Sequence, residues 1–175
     1  MMMVDTALRK RQEAGRPVRV AMVGAGFMGR GIANQILNSV PGMRLVAICN
    51  RHLEGARRAY VEAGAQAVRE IASAAALEAA IADNVHAITE NPDAVCEAGN
   101  IDAIIEVTGA VEFSAHVGHA ADGLALSKDG MGVLMILRGW DNGHINALAL
   151  SAKSIHTRSR SGRLRRSFVQ PRMAS

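Results

Sequence analysis

Three glycines between residues 24 and 29 are the part of this sequence best suited to chemistry. The segment reads GAGFMG and follows an apolar run at residues 18–23. Gly24 permits a tight turn, Gly26 lets a ligand approach the backbone, and Gly29 lets a helix pack closely on the strand. The N–H groups and positive dipole end of such a helix attract phosphate. We therefore predict a pyrophosphate site formed by Gly24, Gly26, Phe27, Met28 and Gly29.

The sequence around this loop decides how specific the glycine pattern is. A GxGxxG pattern indicates dinucleotide binding when it follows a strand, opens a helix and precedes a second strand that ends about 20 residues further on. Residues 27–39 have helical periodicity, and residues 43–49 form a second apolar run. All three conditions are met. The alternative is a glycine turn in an α/β domain that binds no nucleotide.

The end of the second predicted strand distinguishes between two dinucleotides. NAD sites usually place Asp or Glu there, to accept hydrogen bonds from the ribose hydroxyls. Here Asn50 and Arg51 follow the strand, and the next acid is Glu54. A guanidinium pairs with a 2′-phosphate, which a carboxylate would repel. We predict that Arg51, with Asn50 as a hydrogen-bonding partner, binds NADP in preference to NAD. The alternative for Arg51 is a solvated loop residue.

A second turn follows a strongly apolar strand at residues 101–107. Thr108 and Gly109 form this turn, and ligands of open parallel sheets lie beyond the carboxyl ends of the strands. We predict that Thr108 and Gly109 lie near the ribose or the nicotinamide, with a plain strand-to-helix turn as the alternative. Glu106 is interpreted as a polar strand end, with contact to a ligand as the alternative.

The histidines and cysteines lack the spacing of metal ligands. His116 and His119 are three residues apart, but no third ligand is evident, and we predict no metal site. Cys49 and Cys96 fit neither a zinc site nor a disulfide framework. Reduced thiols, and the lack of a signal peptide, indicate a cytoplasmic protein.

The order of apolar runs predicts the fold class. Strands at residues 18–23, 43–49, 65–68, 85–89 and 101–107 alternate with helices at residues 27–39, 53–63, 70–82 and 92–98. This alternation is typical of an α/β fold, here a Rossmann-type doubly wound parallel sheet that is incomplete. We expect an N-terminal helical extension at residues 1–16, a Rossmann domain at 17–137, with one more strand within 131–137, and an irregular basic tail at 138–175.

The positive charge of the chain lies mostly in this tail. The formal net charge is +4, and from residue 117 onward three acids face nine Lys and Arg residues. Residues 151–175 lack periodicity and acids, which predicts disorder. A basic disordered tail binds phosphate without specificity, so we predict no specific nucleic-acid partner. No run of about 18 apolar residues exists, so no membrane partner is expected.

Residues 17–115 resemble the nucleotide-binding part of homoserine dehydrogenase-like oxidoreductases, in the branch with a SAF domain that includes deoxyxylulose-phosphate-reductoisomerase-like enzymes. The phrases that carry the resemblance are VRVAMVGAGFMGRGIANQI, PGMRLVAICNR and IDAIIEVTGAVEF. The resemblance implies hydride transfer between a nicotinamide cofactor and a small carbonyl or alcohol substrate, and homo-oligomers in full-length relatives. It places the glycine loop at the pyrophosphate, Asn50 and Arg51 at the adenosine ribose, and Thr108 and Gly109 near the nicotinamide.

The sequence departs from that family after about residue 115. The substrate-binding acids and the catalytic lysine have no counterpart, so the catalytic residues are unassigned. One hypothesis explains this loss together with the acid-poor tail: the coding sequence shifts frame or is truncated near residues 117–140. The other reading frames of the DNA test it. The competing function is a non-catalytic NADP-binding module or an inactive fragment.

Overall fold

The computed structural model describes residues 3–108, with side chains from residue 6, and the backbone of four further strands. The helices are α1 (Met3–Glu13), α2 (Phe27–Asn38), α3 (Leu53–Glu62), α4 (Ala74–Ala82) and α5 (Pro92–Glu97). The strands are β1 (Val18–Val23), β2 (Met43–Cys49), β3 (Val68–Glu70), β4 (His86–Thr89), β5 (Ala103–Glu106), β6 (Leu124–Ser127), β7 (Leu134–Leu137), β8 (Ser154–Arg158) and β9 (Leu164–Arg166).

The first five strands form a parallel sheet in the order β3-β4-β2-β1-β5. Strands β7, β6, β8 and β9 extend the β5 side in antiparallel pairs. The chain therefore moves outward from β1 to β2 and to β3 at the edge, and then inserts β4 between β2 and β3. It next crosses over to place β5 on the other side of β1. Ligands of such sheets bind at this reversal of strand order, outside the carboxyl ends of the strands. The predicted Rossmann-type α/β fold is confirmed.

Two apolar clusters cover the two faces of the parallel sheet. One cluster contains the buried sides of α4 and α5, including Leu77 and Val95, packed on Val46 and Ala47. The other contains the buried sides of α2 and α3, including Ile36 and Tyr60. Strands buried on both faces carry apolar residues in succession, which explains the apolar runs at residues 20–23 of β1 and 45–49 of β2.

Helix α1 packs at the amino end of the sheet. Leu8 joins the cluster beneath α2 and α3, and the Gln12 side chain accepts a hydrogen bond from the Gly42 amide at 3.0 Å. The predicted N-terminal helix at residues 1–16 therefore contacts the sheet over its described residues. The domain boundaries at residues 16 and 137 stay predictions.

Two predicted elements begin later than the sequence analysis placed them. Strand β3 begins at Val68 and not at residue 65, because the end of α3 continues into the connection: the Ala65 amide donates to the Tyr60 carbonyl at 2.9 Å. Helix α4 begins at Ala74 and not at residue 70, because Ser73 is its N-cap, with Oγ accepting from the Ala76 amide at 3.3 Å. Residues 68–70 are instead the strand that pairs with β4.

The last described strands differ from a fully parallel sheet. Strand β7 lies within the predicted interval 131–137 but pairs antiparallel with β5, and the sequence analysis did not predict β6. The interval 138–175, expected to be an irregular tail, contains the short strands β8 and β9; its other residues lie outside the described part. No helix among the described residues is both long and apolar enough to span a membrane.

Candidate dinucleotide-binding site

The glycine loop lies at the carboxyl edge of the parallel sheet, between β1 and α2. Gly24 has a φ of +103°, and its amide donates to the Cys49 carbonyl of β2 at 2.8 Å. A Cβ on Gly29 would lie 2.5 Å from the Gly24 carbonyl oxygen. The first glycine therefore makes the turn and the third allows α2 to approach it, as the residue types predicted.

The middle of the loop is open. A Cβ placed on Gly26 would meet no atom within 4 Å, and the next two side chains are exposed, Phe27 at 84% and Met28 at 45%. No side chain caps α2, and no acid lies in its first turn. The N–H groups of a first helical turn have no partner within the helix. This cradle of bare backbone fits the pyrophosphate of a dinucleotide.

The other helices that begin at this edge are capped by the protein itself. Asn91 Oδ1 accepts from the Asp93 amide of α5 at 3.0 Å. At α3, Glu90 Oε1 accepts from the Leu53 amide at 3.2 Å, and Glu54 lies in the first turn. In contrast to α3 and α5, helix α2 begins without a side-chain partner for its first amides, so its positive end is open to an anion.

The Asn50 side chain ties the glycine loop to the end of β2. Its Oδ1 accepts from the Ala25 amide at 3.1 Å, and its Nδ2 donates to the His52 carbonyl at 2.9 Å. A Cβ on Gly55 would lie 2.6 Å from Asn50 Nδ2, so α3 approaches this amide closely. Asn50 is thus a half-buried residue whose side chain links the glycine loop to the turn after β2. Its contact with a ribose stays a prediction.

Arg51 and Glu90 place opposite charges at the outer side of this edge. Arg51 is exposed directly after β2 and makes no ion pair with any residue of the described part. Glu90 follows β4, the neighbour of β2, and holds the Leu53 amide two residues beyond Arg51. The sequence analysis missed Glu90, because its proximity to β2 follows from the order of strands.

Glu106 and Thr108 form the other side of the site, after β5. Glu106 is 1% exposed, and its Oε1 accepts from the Thr108 amide at 2.6 Å and from the Thr108 hydroxyl. A Cβ on Gly24 would lie 3.1 Å from the Thr108 amide nitrogen. Thr108 therefore lies beside the glycine loop, and its predicted contact with the ribose or the nicotinamide stays a prediction. Glu106 is a buried hydrogen-bond acceptor and not an exposed strand end. Gly109 lies outside the described residues.

The floor of the site is electrically neutral at Cys49. Burial, with a smaller contribution from Cys96 and nearby acids, raises the pKa of the Cys49 thiol to about 12. Both cysteines are buried, and they form no disulfide among the described residues. The Cys49 thiol therefore adds no charge to this edge of the sheet.

A cavity of about 350 Å³ lies elsewhere, at the amino edge of the sheet. It is lined by the first residues of β2 and β4 and the ends of α2 and α3, among them Met43, His86 and Leu37. It is therefore separate from the glycine loop, which is an open edge and not an enclosed pocket. Among the described residues, no group of three or more His, Cys, Asp or Glu side chains could hold a metal ion.

Strand order, loop geometry and the open helix end define a dinucleotide-binding Rossmann protein. Residues 18–134 match the sequence model of the GFO/IDH/MocA oxidoreductases, described as an oxidoreductase family with an NAD-binding Rossmann fold. The match covers more than half of the chain, and the chain belongs to this family. It extends past residue 115, where the resemblance in the sequence analysis ended. None of the curated proteins matches the chain.

Several solved structures are similar to part of the chain. Myo-inositol dehydrogenase from Lactobacillus casei, in complex with NAD(H) and myo-inositol, has 20% identity, a TM-score of 0.45 and coverage of 61% of this chain and 25% of its own. Scyllo-inositol dehydrogenase from the same organism, with bound NAD(H) and scyllo-inositol, has 19% identity, a TM-score of 0.45 and the same coverages. The chain thus spans about a quarter of the length of these structures.

Proposed function

We propose that this chain is the cofactor-binding half of an NADP-dependent oxidoreductase that acts on a small carbonyl or alcohol substrate. The observation that carries the proposal is the open cradle at Gly26, where bare backbone meets the uncapped start of α2. When bound, the cofactor supplies the hydride chemistry at its nicotinamide ring. The residues of this chain bind the pyrophosphate and orient the two halves of the cofactor.

The preference for NADP rests on the residues that follow β2. Asn50 stands where NAD sites usually hold an acid, and both polar atoms of its side chain are bound to backbone groups. Exposed Arg51 has no ion-pair partner within the described residues, so its guanidinium is available to a 2′-phosphate. NAD is the alternative, favoured by the description of the family and by the carboxylate of Glu90 near this edge.

Titration calorimetry with NADPH and NADH tests this preference. We expect wild type to bind NADPH more tightly, and Arg51→Gln to weaken NADPH binding about tenfold, or about 1.4 kcal/mol, with little change for NADH. Arg16→Gln is the matched control, because Arg16 is exposed at the opposite end of β1. Glu90→Gln should favour NADPH further, since it removes a negative charge near the 2′-phosphate. Tighter binding of NADH by wild type would reject the Arg51 argument.

The substrate class rests on the sequence resemblance. We infer a homoserine dehydrogenase-like reaction on a small carbonyl or alcohol from the phrases at residues 17–115. We infer a cytoplasmic location from the expected reduced state of Cys49 and Cys96. The dehydrogenases named above are similar in fold and act on inositols by their descriptions. Assays of the chain with hydroxy acids, amino alcohols and inositols, at saturating NADP, compare these substrate classes. Turnover of inositols alone would contradict the homoserine dehydrogenase-like assignment.

A non-catalytic NADP-binding module is the second candidate. It is favoured because no catalytic acid or base is assigned in this sequence. Cofactor binding without turnover of any substrate would support this module. Turnover by the purified chain would reject it.

A further inference from the structure

We propose that Glu106 is the positioning residue for the nicotinamide half of the cofactor: it holds the Thr108 turn against Gly24 at the crevice between β1 and β5. This inference rests on the proposed dinucleotide-binding function. It goes further by assigning a buried carboxylate to one half of the ligand. Three observations support this inference: the position of β5, the contacts of Glu106 and the burial of its side chain.

The position of β5 divides the site into two halves. Strand β1 carries the glycine loop and lies between β2 and β5. A dinucleotide crosses the sheet edge at the reversal of strand order. With the pyrophosphate at the end of β1 and the adenosine ribose at the end of β2, the nicotinamide half must extend over the end of β5. Val107 and Thr108 are the residues that follow β5.

The contacts of Glu106 fix this turn. Glu106 is paired with Val23, the last residue of β1, and Oε1 accepts from both the amide and the hydroxyl of Thr108. The Val107 amide donates to the Val23 carbonyl at 2.8 Å. The turn is therefore held at two successive residues, once by the sheet and once by the carboxylate.

The turn formed by Val107 and Thr108 also contacts two of the loop glycines. A Cβ on Gly24 would lie 3.1 Å from the Thr108 amide nitrogen, and one on Gly29 would lie 3.3 Å from a methyl group of Val107. A shift of the turn by a few tenths of an ångström would change the surface that the cofactor meets. Thr108 is itself exposed at the crevice, so the carboxylate acts on the ligand through a residue that can touch it.

The burial of a carboxyl group at position 106 costs free energy, so the hydrogen bonds that it makes to Thr108 need a physical reason. Burial of a charge is costly unless hydrogen bonds compensate it. An apolar residue at position 106 would fit the otherwise apolar strand β5. A charge-assisted acceptor holds a backbone amide more strongly than a neutral one. The gain is a turn that is already ordered before the ligand arrives, which lowers the entropic cost of binding.

The test compares two probes that differ in the nicotinamide half. NADPH spans the whole site, whereas 2′,5′-ADP carries the adenosine and its 2′-phosphate without the nicotinamide riboside. Titration calorimetry should show that Glu106→Met weakens NADPH binding about tenfold and changes 2′,5′-ADP binding less than about twofold. Glu106→Gln keeps an acceptor for Thr108 and should fall between Met and wild type.

Glu78→Met and Glu78→Gln are the matched controls. Glu78 also accepts a backbone amide through Oε1, from Gly99 at 2.7 Å, but it lies on α4, away from the glycine loop. Both control variants should bind both probes as wild type does. If Glu106→Met does not fold, Thr108→Val and Thr108→Ser replace it: Val removes the hydroxyl bond and should weaken NADPH binding, and Ser should restore it.

The outcomes separate this inference from the proposed function. If wild type binds neither NADPH nor NADH, the proposed function fails and the inference fails with it. If wild type binds NADH alone, NADH and ADP replace the two probes and the same comparison decides the inference. If wild type binds both probes and the position-106 variants match it, the inference alone is rejected. A folded Glu106→Met that loses affinity for both probes equally is also a rejection, because it would reveal a general structural role.

Discussion

Single side chains, or their absence, control this site. The three loop glycines have different tasks: Gly24 adopts a positive φ, Gly29 faces a carbonyl oxygen, and Gly26 faces open space. The first two are needed by the fold. Gly26 meets no protein atom, so packing does not require a glycine at this position, and the proposed pyrophosphate contact supplies a separate reason for one.

Replacement of Gly26 by Ala should therefore separate folding from binding. The added methyl meets no protein atom, so the free energy of unfolding should fall by about 1 kcal/mol or less, the cost of a poorer N-cap. The methyl would occupy the approach of the pyrophosphate, and NADPH affinity should fall at least about tenfold. Urea denaturation and calorimetry measure the two quantities.

Gly31→Ala is the control for this substitution. Gly31 is exposed within α2 and has the same open surroundings, so Ala should stabilise the helix by about 0.5–1 kcal/mol and leave NADPH binding unchanged. NADPH affinity that survives Gly26→Ala would contradict the assignment of the pyrophosphate to this loop.

At the scale of elements, the pairing of β1 with β5 creates the crevice. Arg19 and Asp102 join the amino ends of these strands through a two-pronged ion pair, with both N–O distances at 3.1 Å, and Asp102 also accepts the Arg19 amide at 2.8 Å. Burial would raise the pKa of Asp102, but the hydrogen bonds and charge of Arg19 outweigh it and leave the pKa below its usual value. This pair therefore helps fix the register that places Glu106 beside Val23.

The substitution Asp102→Asn should reduce stability in a pH-dependent way. A carboxyl with a lowered folded-state pKa contributes its stability above its unfolded pKa, near 4, and loses it as pH falls through the folded pKa. We expect a loss of about 1–2 kcal/mol at pH 7, a figure reduced for the partial exposure of Arg19. The difference from wild type should shrink below about pH 4. Urea denaturation at pH 7 and pH 3 measures it.

Asp83→Asn is the comparison for this variant. Asp83 pairs with Arg69 at 2.7 Å, but both side chains are about half exposed, so its loss should cost less than about 0.5 kcal/mol. Equal losses from the two variants would show that the β1–β5 pair has no special role in stability.

At the scale of the whole molecule, binding of the cofactor should stabilise the folded chain against unfolding. A ligand that binds only the folded state stabilises it by about 2.7 kcal/mol at one hundred times its Kd. For a chain of this size, NADPH at that concentration should raise Tm by about 5–10 °C. Thermal denaturation with NADPH, and with adenosine at the same concentration, measures the effect. A Tm that does not move with NADPH would contradict a preformed site.

The sequence by itself determined most of the parallel sheet and the central part of the site. Strands β1, β2 and β5 contain apolar runs at residues 20–23, 45–49 and 103–105 because both faces of the sheet are buried there. This pattern does not depend on which strand lies beside which. The roles of Gly24 and Gly29 also follow from local geometry, since a turn directly after a strand needs them. The predicted first residues of β3 and α4 were wrong. The turn that ends α3 extends to Ala65 and delays β3, and Ser73 is the N-cap of α4 and delays that helix.

Only the tertiary structure decided which distant residues share the site. The proximity of Glu90 to the end of β2, and of Thr108 to Gly24, depends on strand order, because residues far apart in sequence meet only when β4 and β5 take opposite sides of the sheet. The same order buries Glu106 beside β1, although its sequence context looks like an ordinary strand end. Periodicity reports whether a residue is buried, whereas its neighbours are set by long-range pairing.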